Sequence, residues 1–163
     1  GALPMILYNV PSRTGLNLQP ATLAALADHE MIVGMKEASG DMVQIMEELR
    51  LCGDKIAFYA GSDELTAPMM AMGGQGVISV AANIAPALMR QMTHAPLPQA
   101  AQLNLRLLPL IRALFAEVNP IPAKAAAALL GLCENRVRLP LVEMTAENQQ
   151  KLKAEMERIG LLC

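Results

Sequence analysis

The chain has 163 residues and 53% of them are hydrophobic, enough material for a sizeable buried core. Its formal charge is -2, from 13 basic and 15 acidic side chains, with no Lys/Arg cluster interleaved with aromatics, so a small-molecule partner is favoured over nucleic acid. No stretch reaches the roughly 18 uncharged apolar residues of a membrane span, and Cys52, Cys133 and Cys163 have neither CxxC nor Cys/His spacing, which argues against a disulfide framework and a zinc site.

The chain opens at Gly1, strand-like sequence begins by Met5, and no basic n-region or apolar h-region precedes it; this start reads as a fragment or a processed chain. A reducing cytoplasm fits the cysteine usage. In chain order, four short apolar runs read as buried strands: Met5 to Tyr8, Met31 to Met35, Ile56 to Tyr59 and Gly76 to Val80. None alternates polar with apolar residues, so they suit a parallel sheet covered by helices. Amphipathic segments lie between them. Pro20 suits a first helical turn after Asn17, Asp41 with Gln44 resembles a capping box, and Asp63-Glu64 puts negative charge at a helix start. The pattern is βα repeated four times, joined by short loops.

From Pro98 onward the strand signal ends. Three helical segments are expected: Gln99 to Glu117 with Pro109 as a kink or boundary, Ala123 to Leu130 closed by Gly131, and Thr145 to Ile159. The expected division is therefore residues 1–94, built of βα units, and residues 95–163, a helical domain. Four parallel strands with crossover helices fit either an open doubly wound sheet or half of an eight-fold barrel, and periodicity leaves both open.

In either fold reactive groups belong at the C-terminal ends of the strands. Lys36 stands there, directly after an apolar strand; desolvation would disfavour its ammonium and favour a nucleophilic amine. Its structural alternative is a lysine that snorkels to solvent or pairs with Glu37. Tyr8 ends the first strand, where a phenol could pass a proton or simply be a half-buried tyrosine. Arg13, in the loop Pro11-Ser12-Arg13-Thr14-Gly15, offers a fork suited to a carboxylate, or is an ordinary surface arginine. Gly73-Gly74-Gln75-Gly76 precedes a strand, whereas a phosphate cradle opens a helix, so it reads as a tight turn. His29 and His94 lack partners at ligand spacing, and the 12 methionines read as core filler.

Taken together, Tyr8-Asn9-Val10-Pro11-Ser12-Arg13-Thr14-Gly15, Gly34-Met35-Lys36-Glu37-Ala38-Ser39-Gly40-Asp41, Gly61-Ser62-Asp63, Gly73 to Ser79, Asn119 to Lys124 and Arg138-Leu139-Pro140 resemble the dihydrodipicolinate synthase family, in order, from Pro4 onward. The resemblance implies an α/β fold: the second half of a (β/α)8 TIM barrel, strands five to eight, followed by a C-terminal helical domain. A complete barrel takes about 250 residues, so a missing N-terminal half-barrel is an implied partner. The implied activity is a lyase that condenses pyruvate with L-aspartate 4-semialdehyde in lysine and diaminopimelate biosynthesis. Lys36 would form the imine with pyruvate, Tyr8 would shuttle protons, Arg13 would orient the semialdehyde carboxylate, and Gly61 and Ile78 would line the pyruvate site. No metal or organic cofactor is implied, since the imine withdraws the electrons. The family further implies a cytoplasmic homo-oligomer, a tetramer.

Two alternatives accompany this reading. Sialic-acid lyases and keto-deoxy-sugar aldolases share the lysine and tyrosine but tend to carry a small or apolar residue in place of Arg13. The chain alone would otherwise be a non-catalytic half-barrel, whose open edges seek a partner.

Overall fold

The computed structural model describes residues 3–162, which form two compact units dividing between Ser79 and Val80. The first unit contains β1 (Met5–Asn9), β2 (Ile32–Glu37), β3 (Ala57–Ala60) and β4 (Gly76–Val77). They form one sheet in the order β1-β2-β3-β4, every pair parallel. Strand order follows chain order throughout, without the reversal that creates the switch point of a doubly wound sheet.

Connecting them are α1 (Pro11–Thr14), α2 (Pro20–Leu26), α3 (Met42–Cys52) and α4 (Thr66–Ala71). Pro20 opens α2, where its missing N–H costs nothing, but the cap is Gln19 rather than Asn17. Asp41 caps α3, its carboxylate accepting from the backbone N–H of Val43 at 2.9 Å and Gln44 at 3.1 Å. The expected capping box is only half made. The Gln44 side chain turns instead to Asn17 and Glu48, and Ser39 Oγ accepts the Asp41 N–H. Asp63 and Glu64 begin a 3-10 turn that leads into α4.

Period-two alternation assigns the two faces of the sheet. Met35 and Phe58 point to the helices and join Leu23, Ala27, Ile32, Cys52 and Ile56 in one buried cluster, with Leu7 packed against it. Ile45, Ala60 and Met69 form a second cluster. Met35 and Met69 are completely buried, as core filler would be, whereas Met5 and Met46 are exposed, so that reading of the methionines holds only in part. The expectation of four buried strands is corrected at β1. Met5, Ile6 and Tyr8 are exposed because β1 ends the sheet, with β2 as its only strand neighbour among the described residues. The fourth run is also shorter than expected, only Gly76 and Val77 being strand, although the Ile78 N–H still donates to Ala60 O at 2.9 Å. Gly73, at φ +103°, allows the tight turn into it.

The second unit comprises α5 (Pro86–His94), α6 (Leu97–Leu114), α7 (Ile121–Leu129) and α8 (Ala146–Arg158). Pro109 lies inside α6 without ending it. Helix α6 packs on α5, α7 and α8, burying Leu107, Leu110, Ile111 and Leu114 with Leu152 and Met156 of α8. Ahead of α8, the Glu117 carboxylate accepts from Asn148 Nδ2 at 2.8 Å and Thr145 Oγ1 at 2.7 Å. These bonds hold its carboxyl below the ordinary range.

Phe58, 1% exposed at the centre of the larger cluster, tests this packing. Phe58→Ala is expected to lower stability by about 3–5 kcal/mol, read as a lower urea midpoint. A loss below about 1 kcal/mol would place Phe58 outside a close-packed core.

Candidate active site

The register of the sheet builds the site. Lys36 on β2 pairs with Tyr8 on β1 and with Tyr59 on β3. Paired residues in a parallel sheet project to the same face, so the three side chains form a row on the face opposite the helices. Lys36 is half-buried, and its Nζ lies 4.0 Å from the centroid of the Tyr8 ring. An ammonium at this distance is drawn to the negative face of the ring. Gly34, two residues earlier on the same face, is closely approached: a Cβ there would meet Ala57 O at 3.1 Å, Ile6 Cγ1 at 3.4 Å and Tyr59 Cε2 at 3.6 Å.

Tyr59 was not singled out by sequence, although a signal existed. It is the other of the chain's two tyrosines and closes its apolar run at the same sheet end as Lys36. The remaining residues singled out from sequence lie at that end too. Gly61 follows β3 and donates its N–H to Glu37 O at 2.6 Å. A Cβ on Gly61 would fall 2.7 Å from Ala38 Cβ and 2.9 Å from Glu37 O, so close approach of the two strand ends requires glycine here. Ile78 is 41% exposed and lies two residues past Gly76, the partner of Tyr59, which puts it on the Lys36 face. Arg13 sits in the last turn of α1, exposed, with no ion-pair partner among the described residues. Gly15, at φ +71°, closes that turn by donating to Pro11 O at 2.9 Å. The structure thus brings Tyr8 and Lys36 into contact and sets Gly61 and Ile78 at the ends of the neighbouring strands, with Arg13 on the loop after β1.

Behind the row, on the helix side, lies a polar network that sequence reading also missed. Glu37 is 1% exposed and accepts from Asn9 Nδ2 at 3.0 Å and from the Ser39 N–H. Asn9 in turn donates to Asn17 Oδ1 at 2.9 Å and accepts the Leu18 N–H at 3.0 Å. Its apparent lack of pattern in the sequence is what hid it, since the members come from three separate segments. Among the described residues no three His, Cys, Asp or Glu side chains gather as metal ligands, and no helix is long and apolar enough to cross a membrane.

A model of the dihydrodipicolinate synthetase family matches residues 1–159. The chain belongs to this family. A 4-hydroxy-tetrahydrodipicolinate synthase from Geotalea uraniireducens is 50% identical over 165 residues, covering 99% of this chain and 57% of the relative. Among solved structures, the dihydrodipicolinate synthase of Acinetobacter baumannii, chloride-inhibited and complexed with pyruvate, matches with TM-score 0.96 and 37% identity, over 99% of this chain and 57% of that one. The lysine-bound enzyme of Cyanidioschyzon merolae matches with TM-score 0.93 and 40% identity, over 98% and 56%. The chain therefore spans little more than half the length of these relatives, and the α/β fold with its parallel sheet is that of the family.

The close approach at Gly61 makes a direct prediction. Gly61→Ala should destabilise the chain by about 1–3 kcal/mol, since backbone and Ala38 must shift to admit the methyl group. An unchanged thermal midpoint would contradict the packing described here.

Proposed function

We propose that this chain is the Lys36-bearing portion of a 4-hydroxy-tetrahydrodipicolinate synthase: residues 1–94 as the second half of a (β/α)8 barrel and residues 95–163 as its helical C-terminal domain. The observation that carries the proposal is the in-register contact of Lys36 Nζ with the Tyr8 ring at the C-terminal end of a parallel sheet. Sequential strand order favours a barrel over a doubly wound sheet, and family membership supplies the reaction class.

In this reading the Lys36 amine attacks C2 of pyruvate and the carbinolamine loses water to give a protonated imine. The positive nitrogen makes the methyl group acidic, so a proton leaves C3 and an enamine forms. The enamine carbon adds to the aldehyde carbon of L-aspartate 4-semialdehyde. The substrate amine then attacks the imine carbon, expelling the Lys36 amine and closing the ring. Tyr8 is suited to carry protons in the steps at nitrogen, because its ring already lies against Nζ. Arg13, exposed on the adjoining loop, is free to take the semialdehyde carboxylate. Gly61 and Ile78 bound the space around the imine. The covalent imine performs the electron withdrawal, so the scheme calls for no metal or organic cofactor. It places the enzyme in the cytoplasm as a homo-oligomer that also contains the first half of the barrel. The Arg13 loop and the synthase relatives favour this activity over the sialic-acid lyases and sugar aldolases.

Borohydride reduction in the presence of pyruvate, followed by peptide mass spectrometry, tests the assignment. With a matching N-terminal half supplied, the reduced adduct is expected on Lys36, with synthase turnover well above that of the isolated chain. Labelling at another lysine, or none, would refute the imine, and equal turnover with and without that half would refute the half-barrel.

A further inference from the structure

Glu37 has a second carboxyl group against it. Glu48, on α3, is completely buried, and no basic side chain pairs with either glutamate among the described residues. Two carboxylates in contact away from water cannot both be charged at modest cost. The hydrogen bonds indicate which keeps its charge. Glu37 is met by two donors, Asn9 Nδ2 and the Ser39 N–H, as an ionised carboxylate is. Glu48 Oε1 accepts only Gln44 Nε2, at 2.9 Å, and Glu48 Oε2, against Glu37, has no donor. The missing proton is accounted for if Oε2 carries it and donates to Glu37.

The same network holds both ends of the loop that carries Arg13. Its start is anchored through Asn9, and its end through Gln44, which donates to Leu18 O at 3.0 Å and exchanges hydrogen bonds with Asn17 at 2.8 and 3.1 Å. Leu18 N–H to Asn9 Oδ1 closes the circuit. We propose that protonated Glu48 is a positioning residue for the synthase reaction: through Gln44 and Glu37 it fixes the Arg13 loop to the strand that presents Lys36. This rests on the functional reading given above for Lys36 and Arg13, neither of which Glu48 touches.

Burial, reinforced by the Glu37 charge, pushes the Glu48 carboxyl from 4.5 up to about 8. The titratable groups around it are Glu37 on β2 and Cys52 on α3 itself, whose thiol burial also raises; Asn9 and Asn17 contribute no charge. The folded chain therefore keeps a proton that the unfolded chain releases above 4.5. This group's contribution to stability is full below that value and falls as pH rises, until it is lost above about 8. There two carboxylates oppose each other and the loop anchor weakens.

The test pairs wild type with Glu48→Gln, whose amide can still donate to Glu37 and accept from Gln44. In the chain labelled with carbon-13 at glutamate carboxyls, one resonance should titrate near pH 8 and be absent from the variant. In the enzyme reconstituted with an N-terminal half, the KM for semialdehyde should rise about threefold or more from roughly pH 7 to 9 in wild type only, while the rate of imine trapping at Lys36 follows the same profile in both. Titration of Glu48 in the ordinary carboxylate range overturns the proposal, as do identical KM profiles. Loss of pyruvate labelling at Lys36 would instead overturn the functional reading, leaving the carboxyl titration as an independent result.

Discussion

The parallel pairing of β1 with β2 sets Tyr8 beside Lys36 and Asn9 beside Glu37, and the remaining features of the first unit depend on that register. Because side chains alternate between faces, a slip of one residue would exchange the two sets. Lys36 would then point into the cluster around Met35 and Phe58, where an unpaired ammonium is strongly disfavoured, and Glu37 would leave its donors. Leu7 and Met35 packing beneath the sheet therefore helps to specify which face receives the cation. Asn9 and Glu37, bonded to each other on that same helix side, reinforce the same choice.

Two neighbouring residues of one strand thus serve opposite purposes. Lys36 is turned to the face opposite the helices, half-buried and resting on an aromatic ring. Glu37 is turned inward, where its carboxyl group accepts from Asn9 Nδ2 and the Ser39 N–H. The strand ends are drawn together where Gly61 meets Glu37 and Ala38, a contact that excludes any side chain on Gly61. A rigid frame of this kind keeps the amine and the phenol in place without relying on a mobile loop. The Arg13 loop is longer and exposed, and the buried side-chain network supplies what the sheet does not.

The four strands, their parallel arrangement and most of the helices were legible in the sequence because each rests on a local signal: an apolar run, a proline in a first turn, an aspartate before α3. Lys36 and Tyr8 were legible as residues at strand ends. What escaped depends on contacts between distant segments. Gln44 looked like the second half of a capping box, yet its amide is used by Asn17, Leu18 and Glu48. Glu48 carries no signal of its own in the sequence, and only three-dimensional packing reveals its burial. Tyr59 closes an apolar run, but its place beside Lys36 comes from pairing register, and the exposure of β1 follows from its terminal place in the sheet rather than from its composition.

The contact between Tyr8 and Lys36 carries the account of function, so the rate of pyruvate imine trapping on Lys36 is its most direct measure. In the reconstituted enzyme, Tyr8→Phe is expected to slow trapping by about tenfold or more, because the ring remains while the hydroxyl proposed to carry protons is lost. Tyr59→Phe, altered on the other side of the same lysine, should leave the rate within about twofold. Equal rates in wild type and Tyr8→Phe, or the larger loss at Tyr59, would contradict the site described here.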